Sequence, residues 1–417
     1  MIIQRPTYLK HLIDRQHNGM IKIVTGMRRS GKSYLLFSIF ADYLQAQGVS
    51  ASHIIKIDLE NITNDHLREP LSLIEYIDRQ IIDSKEYYIF IDEVQHLQRF
   101  EDVLNTLLKN NQLDIYVTGS NARFLSKDVI TTFRGRGDEV RVHPLSFAEY
   151  LSVQPPLPFA EQHLNEYMRL GGLPQLVHMN NEQQKRHYLS QLFINTYLTD
   201  IKDRYSIKND DDLEELIDVI ASSIGSLTNP TKLANTFASV KQSKLSKDTI
   251  KKYLDYMQDA FMIEKAVRYD IKGRKYIDTP SKYYFEDLGL RNARINFRQT
   301  EPTHLMENLI YNELRIRGYN IDVGQVVVNT RNANGVNARK LLEVDFVCNK
   351  ADERIYIQSA YAMPTPEKQE QEFKSLKLIN DNFPKVIIAG GMQPTYRNND
   401  GVLILNIYDF LLNKVTF

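Results

Sequence analysis

Residues 20–33 read MIKIVTGMRRSGKS, and this stretch decides the N-terminal fold. Its first six residues are a glycine-bounded run rich in isoleucine and valine, the pattern of a buried strand. Gly26, Met27, Arg28, Arg29, Ser30, Gly31, Lys32 and Ser33 then follow the spacing GxxxxGKS of a phosphate loop. Residues 34–45 show helical spacing through Leu35, Leu36, Ile39 and Phe40. The loop therefore stands between a strand and a helix, the context the motif requires. Its glycines let the backbone curl so that N–H groups point at phosphate oxygens. Lys32 places a positive charge near the β- and γ-phosphates, and the Ser33 hydroxyl can ligate Mg²⁺. The helix start, from Ser33 into Tyr34, adds its own partial positive charge. The expected ligands are ATP and Mg²⁺.

A second buried run, residues 87–91 (YYIFI), ends directly in Asp92-Glu93. In a parallel sheet the carboxyl ends of strands face the ligand crevice. Asp92 is thus placed to hold Mg²⁺ through water, and Glu93 to polarise an attacking water. A third run, residues 114–118 (DIYVT), ends in Gly119-Ser120-Asn121. Ser120 and Asn121 either sense the γ-phosphate and its lytic water or cap the turn into the next helix, since both residue types are good N-caps. Strands at 53–58 and 139–143 complete the sheet, with helices such as 71–84 and 100–110 between them. Alternating strands and helices imply a parallel sheet covered on both faces.

The 417 residues suffice for two or three domains, and 52 basic residues balance 52 acidic ones. Global charge therefore points to no polyanionic partner, and any nucleic-acid contact needs a local basic face. The single cysteine, Cys348, excludes an intrachain disulfide framework. With no apolar leader at the start and no long apolar run later, the expectation is a cytoplasmic protein without a membrane span.

The chain resembles the AAA-type prokaryotic ATPases that carry a C-terminal domain of unknown function. The resemblance rests on TGMRRSGKS, YYIFIDEVQ, VTGSN and FRGRGDEVRVHPLSFAEY at 133–150, and continues in GGLPQ at 171–175 and KYYFEDLGLRNA at 282–293. It implies that Glu93 is the catalytic base and that the 114–118 strand is inserted between the phosphate-loop strand and the strand ending in Asp92. It also implies that Arg134 or Arg136 reaches the γ-phosphate of a neighbouring subunit in a homo-oligomer, where such a finger stabilises transition-state charge. The alternative is a pair of surface arginines in a glycine-bearing loop.

The proline-rich stretch at 152–158 predicts the end of the nucleotide domain. Helices at 159–169 and 181–205 flank the GGLP turn, which resembles the lid hinge of this ATPase family. Three amphipathic helices (212–226, 231–239, 246–257) precede two extended runs about a turn at Lys272-Gly273. With Lys241, Lys244, Lys265, Arg268, Lys272, Arg274 and Lys275 nearby, the segment reads as a winged helix-turn-helix. Its partner is either double-stranded DNA or a protein client.

Helix, three strands, helix and strand after residue 302 follow the order of a restriction-endonuclease-like core. Glu307 and Asp345 match its acids, Gln358 substitutes for a third, and Ala360 stands where the catalytic lysine belongs. Without that lysine, Asp345 and Gln358 read as structural hydrogen-bonding groups, and nuclease activity is not expected. The fold class expected is α/β: a parallel-sheet P-loop ATPase core (1–151), a helical lid (152–207), a winged helix-turn-helix (208–281) and a nuclease-like α/β domain (282–417).

Overall fold

Alternation along the strands sets the two faces of the N-terminal sheet. The computed structural model describes residues 2–119, 135–155, 160–207, 210–240, 245–298, 301–331, 337–363, 365–391 and 393–415. Helix α1 (Pro6–Ile13) leads into β1 (Ile21–Thr25) and then a long helix, α2, made of Lys32–Tyr34, a π-helical segment Leu35–Phe40, and Ala41–Ala46. Next come β2 (Ile54–Asp58), α3 (Pro70–Gln80), β3 (Tyr87–Asp92), α4 (Phe100–Leu107), β4 (Leu113–Thr118) and β5 (Gly137–Arg141). The five strands pair in parallel in the order β2-β3-β4-β1-β5.

Side chains at odd positions (Ile21, Ile23, Ile55, Ile57, Ile89, Ile91, Ile115 and Val117) pack with Leu73, Ile77, Val103 and Leu104 of α3 and α4. Those at even positions (Val24, Ile54, Tyr88, Phe90, Tyr116, Val140) pack under Tyr8 and Leu12 of α1 and Leu35, Leu36, Ile39 and Phe40 of α2. Period-two alternation between two apolar sets is what a doubly covered parallel sheet demands. Lys22 breaks the apolar rule on the α2 face. It is fully buried, paired with Asp114, and lies 4.9 Å from the Tyr116 ring centroid.

The inserted strand is where the resemblance put it: β4 separates β1 from β3. Strand β5 begins two residues earlier than expected, with Gly137 opposite Ile21. The reason is that residues 142–143 have another task. Val142 N–H donates to the Thr25 carbonyl at 2.7 Å, and the His143 carbonyl accepts from Arg5 at 2.8 Å. Both contacts brace the phosphate loop.

The chain clusters into two compact units. One comprises Met1–Leu145, Leu173–Gln175 and Asp259–Phe261; the other comprises Ser146–Gly172, Leu176–Gln258 and Met262–Phe417. The second unit starts with α5 (Phe147–Leu151), α6 (Ala160–Leu170) and α7, a helix of Glu182–Leu192, a π segment Phe193–Leu198 and Thr199–Tyr205. The short helices α8 (Asp210–Ser222), α9 (Pro230–Val240) and α10 (Lys247–Asp259) follow, then β6 (Ile263–Asp270), β7 (Lys275–Phe285), α11 (Leu288–Arg294) and α12 (Pro302–Ile316). The remainder is β8 (Asn320–Arg331), β9 (Asn337–Lys350), β10 (Glu353–Ala360), α13 (Pro366–Lys377), β11 (Lys385–Ala389), β12 (Tyr396–Arg397), β13 (Leu403–Asn406) and α14 (Ile407–Leu411).

Eight strands form one mixed sheet in the order β12-β13-β11-β10-β9-β8-β6-β7. The hairpin expected as a free wing is therefore built into the C-terminal sheet. Strand β6 pairs in parallel with β8 through Arg268–Val323, Tyr269–Gly324 and Asp270–Gln325. Gly324 permits this approach, since a Cβ there would lie 2.8–2.9 Å from Val344, Ile271 and Val347 side chains.

Phe40 is the keystone of the α2 face. Its ring is fully buried and lies within 5.0–6.5 Å of the rings of Tyr43, Tyr88, Phe90 and Tyr116. Phe40→Ala is expected to cost about 3–5 kcal/mol by opening a cavity, and Phe40→Leu distinctly less. Urea unfolding of the three proteins checks the ranking.

Candidate functional site

Three strand ends converge on one hydrogen-bond node. Ser33 follows β1 through the phosphate loop, Asp92 ends β3, and Thr118 ends the strand between them. The Ser33 hydroxyl donates to Asp92 Oδ1 at 2.9 Å, and the Thr118 hydroxyl donates to the same oxygen. The Glu93 N–H donates to Thr118 Oγ1 at 2.9 Å. Burial raises the pKa of Asp92, while the Thr118 and Ser33 hydrogen bonds oppose that rise. Thr118 was outside the sequence-derived site set, although VTGSN contained it.

The loop itself is tightly determined. Gly26 has φ +132°, and a Cβ on it would sit 2.0 Å from the Val142 carbonyl oxygen, so no other residue fits. Gly31 has φ +94° and Arg29 φ +63°. Lys32 is only 4% exposed, and its ammonium donates to the Gly26 and Met27 carbonyls at 3.0 and 2.9 Å. Burial lowers its pKa to about 8 against the opposing pull of Glu93 and Asp92. Met27 is fully buried, Arg28 half-buried and Tyr34 exposed. The Ser30 hydroxyl is buried and has no hydrogen-bond partner among the described residues.

Glu93 has a left-handed backbone, φ +48°, uncommon for a non-glycine residue and costly enough to need support. That support is the Thr118 bond and a side-chain bond from Gln95 Nε2 to Glu93 Oε2. The donor set around Ser33 and Asp92 is hard oxygen, which suits Mg²⁺ completed by water and phosphate. Among the described residues no group of three or more His, Cys, Asp or Glu side chains is arranged to hold a metal ion. A small protein donor set of this kind is what nucleotide-dependent Mg²⁺ binding requires, so the residues fit the ion.

Comparison with known proteins agrees with this geometry. The AAA domain family matches residues 18–151, and a domain of unknown function (DUF8612) matches residues 161–301. An uncharacterized protein of Haemophilus influenzae is 34% identical over 415 residues, 99% of each chain. The chain belongs to the same family, and its N-terminal part is an AAA domain of the P-loop ATPase class. An uncharacterized protein of Methanocaldococcus jannaschii is 28% identical over 379 residues, covering 87% of this chain and 81% of that one. The ORC1 protein of Aeropyrum pernix, solved in complex with DNA, aligns at 10% identity over 71% of this chain and 93% of its own, with a TM-score of 0.32. A score that low carries no argument about fold or function.

Within the AAA domain, Arg136 lies at the opposite end of the sheet from the phosphate loop. Its carbonyl accepts from the Ile21 N–H, at the start of β1, roughly 15 Å of strand away from the loop. It is exposed, with Nη1 3.4 Å from Asn105 Oδ1. Arg136 is thus far from the phosphate loop of its own chain. Ser120, Asn121 and Arg134 lie outside the described residues.

The GGLPQ turn is pinned by the motif at 282–293. Asp287, 2% exposed, accepts from the Gly172 N–H at 2.8 Å and the Leu290 N–H at 2.9 Å. Burial raises its pKa to about 6 despite these bonds. A Cβ on Gly171 would sit 2.3 Å from its carboxylate, and Asn292 Nδ2 donates to the Met168 and Arg169 carbonyls at the end of α6. The chain then enters the nucleotide unit, where Pro174 Cγ lies 3.7 Å from the Cβ position of Gly31. Asp287 and Asn292 lie in the KYYFEDLGLRNA stretch, but no spacing rule in the sequence points to this clasp.

In the C-terminal sheet Asp345 and Gln358 do bond across paired strands, Asp345 N–H to Gln358 Oε1 at 3.4 Å. Ala360 is buried, yet a lysine does reach the acids, from β7. Lys282 Nζ lies 2.8 Å from Glu307, 2.7 Å from Glu343 and 3.8 Å from Asp345, while the Tyr284 hydroxyl donates to Glu307 at 2.7 Å. Burial opposes the charge on Lys282, but Glu307, Asp345 and Glu343 together raise its pKa. The Asp345 carboxyl is pushed up by burial and by the nearby Glu307 charge. Lys282→Met leaves three carboxylates without their counter-charge and is expected to destabilise this unit by about 3–5 kcal/mol. Protonation relieves the repulsion, so the loss is expected to be smaller at pH 5 than at pH 7.5. Urea titrations at both values test this.

Proposed function

We propose that the chain binds ATP with Mg²⁺ and hydrolyses it, using nucleotide state to act on double-stranded DNA or a DNA-associated partner. The observation carrying the hydrolytic reading is Glu93, held in a strained backbone directly after Asp92 and braced by Thr118 and Gln95. A merely structural carboxylate at a strand end needs no such bracing. Lys32 leaves the Gly26 and Met27 carbonyls for the phosphates, and backbone N–H groups of 27–33 line the anion. Ser33 and, through water, Asp92 would hold the Mg²⁺, which supplies neutralising charge to the phosphates. Glu93 accepts a proton from water as the water oxygen bonds to the γ-phosphorus and the bond to the bridging oxygen breaks. Exposed Arg136 serves a neighbouring copy in a homo-oligomer, with Arg134, Ser120 and Asn121 as further candidates at the shared site.

Lys247, Lys251 and Lys252 support the DNA part of the reading. They are exposed on α10, away from buried Ile250, Leu254 and Met257. The same helix exposes Asp248 and Asp255, and Arg268 of the hairpin is bonded within the sheet to Gln325 and the Thr279 carbonyl. These features favour a second reading, a regulatory switch with a protein client.

Lys32→Ala is expected to abolish ATP binding. Glu93→Gln keeps binding and lowers turnover by about 10²–10⁴-fold; phosphate release from both at the wild-type rate contradicts the proposal. The ammonium form of Lys32 is the one that holds phosphate. Nucleotide affinity is therefore expected to be flat below pH about 8 and to fall with unit slope in log affinity above it. Filter binding of double-stranded DNA over a salt series separates the clients: affinity that does not fall with salt removes DNA.

A further inference from the structure

Arg5 is a cation with no place in the mechanism above, yet it is 4% exposed beside the phosphate loop. Burying a guanidinium is costly unless its donors are used. Here Nη1 donates to the Ser30 carbonyl at 3.0 Å and Nη2 to the His143 carbonyl at 2.8 Å. Its plane lies over the Tyr8 ring, 4.5 Å from the centroid, and the Tyr8 hydroxyl accepts from the His143 N–H at 3.2 Å. One side chain thus ties the loop at Ser30 to the segment after β5 and to α1.

The consequence follows from peptide geometry. The Ser30–Gly31 peptide is planar and trans, so its N–H points opposite to its C=O. Fixing the Ser30 carbonyl toward Arg5 therefore aims the Gly31 N–H away from Arg5. In a phosphate loop that N–H belongs to the set that cradles phosphate oxygens. The Ser30 side chain adds an independent observation: its buried hydroxyl has no partner among the described residues. A buried hydroxyl left unpaired is uncommon and calls for a partner.

We infer that Arg5 is a positioning residue of the phosphate loop, holding the Ser30–Gly31 peptide so that the Gly31 N–H and the Ser30 hydroxyl meet the nucleotide phosphates. The inference rests on the ATP-binding reading and adds to it a residue twenty-one positions upstream of the motif's first glycine. Lysine at position 5 keeps the charge but cannot donate to both carbonyls at once with a planar fork.

The test is a titration of the full-length chain with a fluorescent ATP analogue, N-methylanthraniloyl-ATP, and Mg²⁺, alongside ATP turnover. Wild type, Arg5→Ala and Arg5→Lys are compared, with unfolding midpoints measured without nucleotide. Arg5→Ala is expected to weaken probe binding and raise the KM for ATP about tenfold, with kcat at saturation changed far less. Arg5→Lys is expected to fall between it and wild type. Guanidinium ion, added well below denaturing concentration, is expected to restore binding to Arg5→Ala and leave wild type unaffected, which a loss of packing alone would not do. A folded Arg5→Ala that binds the probe within twofold of wild type overturns the inference. Should that variant not fold, wild-type affinity in Arg5→Lys overturns it equally. If wild type itself binds no probe, the failure lies with the ATP reading rather than with Arg5.

Discussion

Everything at the nucleotide site depends on β4 lying between β1 and β3. That adjacency brings the carboxyl ends of three parallel strands together, so that hydroxyls from Ser33 and Thr118 meet on one oxygen of Asp92. The same Thr118 oxygen accepts from the Glu93 backbone. One node therefore fixes Ser33 and Asp92, the proposed metal-site pair, and the orientation of the proposed base. The sheet can hold this order because its inner strands β1, β3 and β4 are buried on both faces, with α3 and α4 covering one side and α1 and α2 the other. A polar cluster of this kind is stable only when its members satisfy one another, which ties the chemistry to the packing.

Buried lysines stand at three separate places, and they are satisfied in two different ways. Lys22 is paired with Asp114 deep in the first sheet, Lys282 with three carboxylates in the second, and Lys32 with loop carbonyls alone. The first two have full anionic partners and belong to the framework. Lys32 hydrogen-bonds only to backbone dipoles, and burial lowers its pKa against the pull of nearby Glu93 and Asp92. Direct pairing with carboxylates, not proton affinity, sets Lys22 and Lys282 apart from Lys32, since burial lowers the pKa of Lys22 as well.

Much of this was legible in the sequence, for physical reasons. Residues 20–33 combine a period-two strand, a glycine turn and a period-3.6 helix, and each part constrains the next. The strand ending in Asp92-Glu93 and the inserted strand follow from the same periodicities together with the family resemblance. What was not legible depended on distant contacts. Arg5 looks like an ordinary basic residue until His143 and Ser30 come together around it. Lys282 was invisible as a partner of Glu307 because β7 appeared to belong to a separate hairpin, whereas β6 pairs with β8 and brings both strands into the C-terminal sheet. Ala360 offers no cation to the acids, and local sequence could not reveal that Lys282, on another strand, reaches them.

The central claim is that Lys32 exchanges loop carbonyls for nucleotide phosphates at the Ser33–Asp92–Thr118 node. A crystal structure of the full chain with a non-hydrolysable ATP analogue and Mg²⁺ tests this directly. The account predicts Lys32 Nζ released from Gly26 and Met27 and bound to phosphate oxygens, with Ser33 Oγ ligating the metal. A nucleotide bound elsewhere, with Lys32 still donating to both carbonyls, would contradict it.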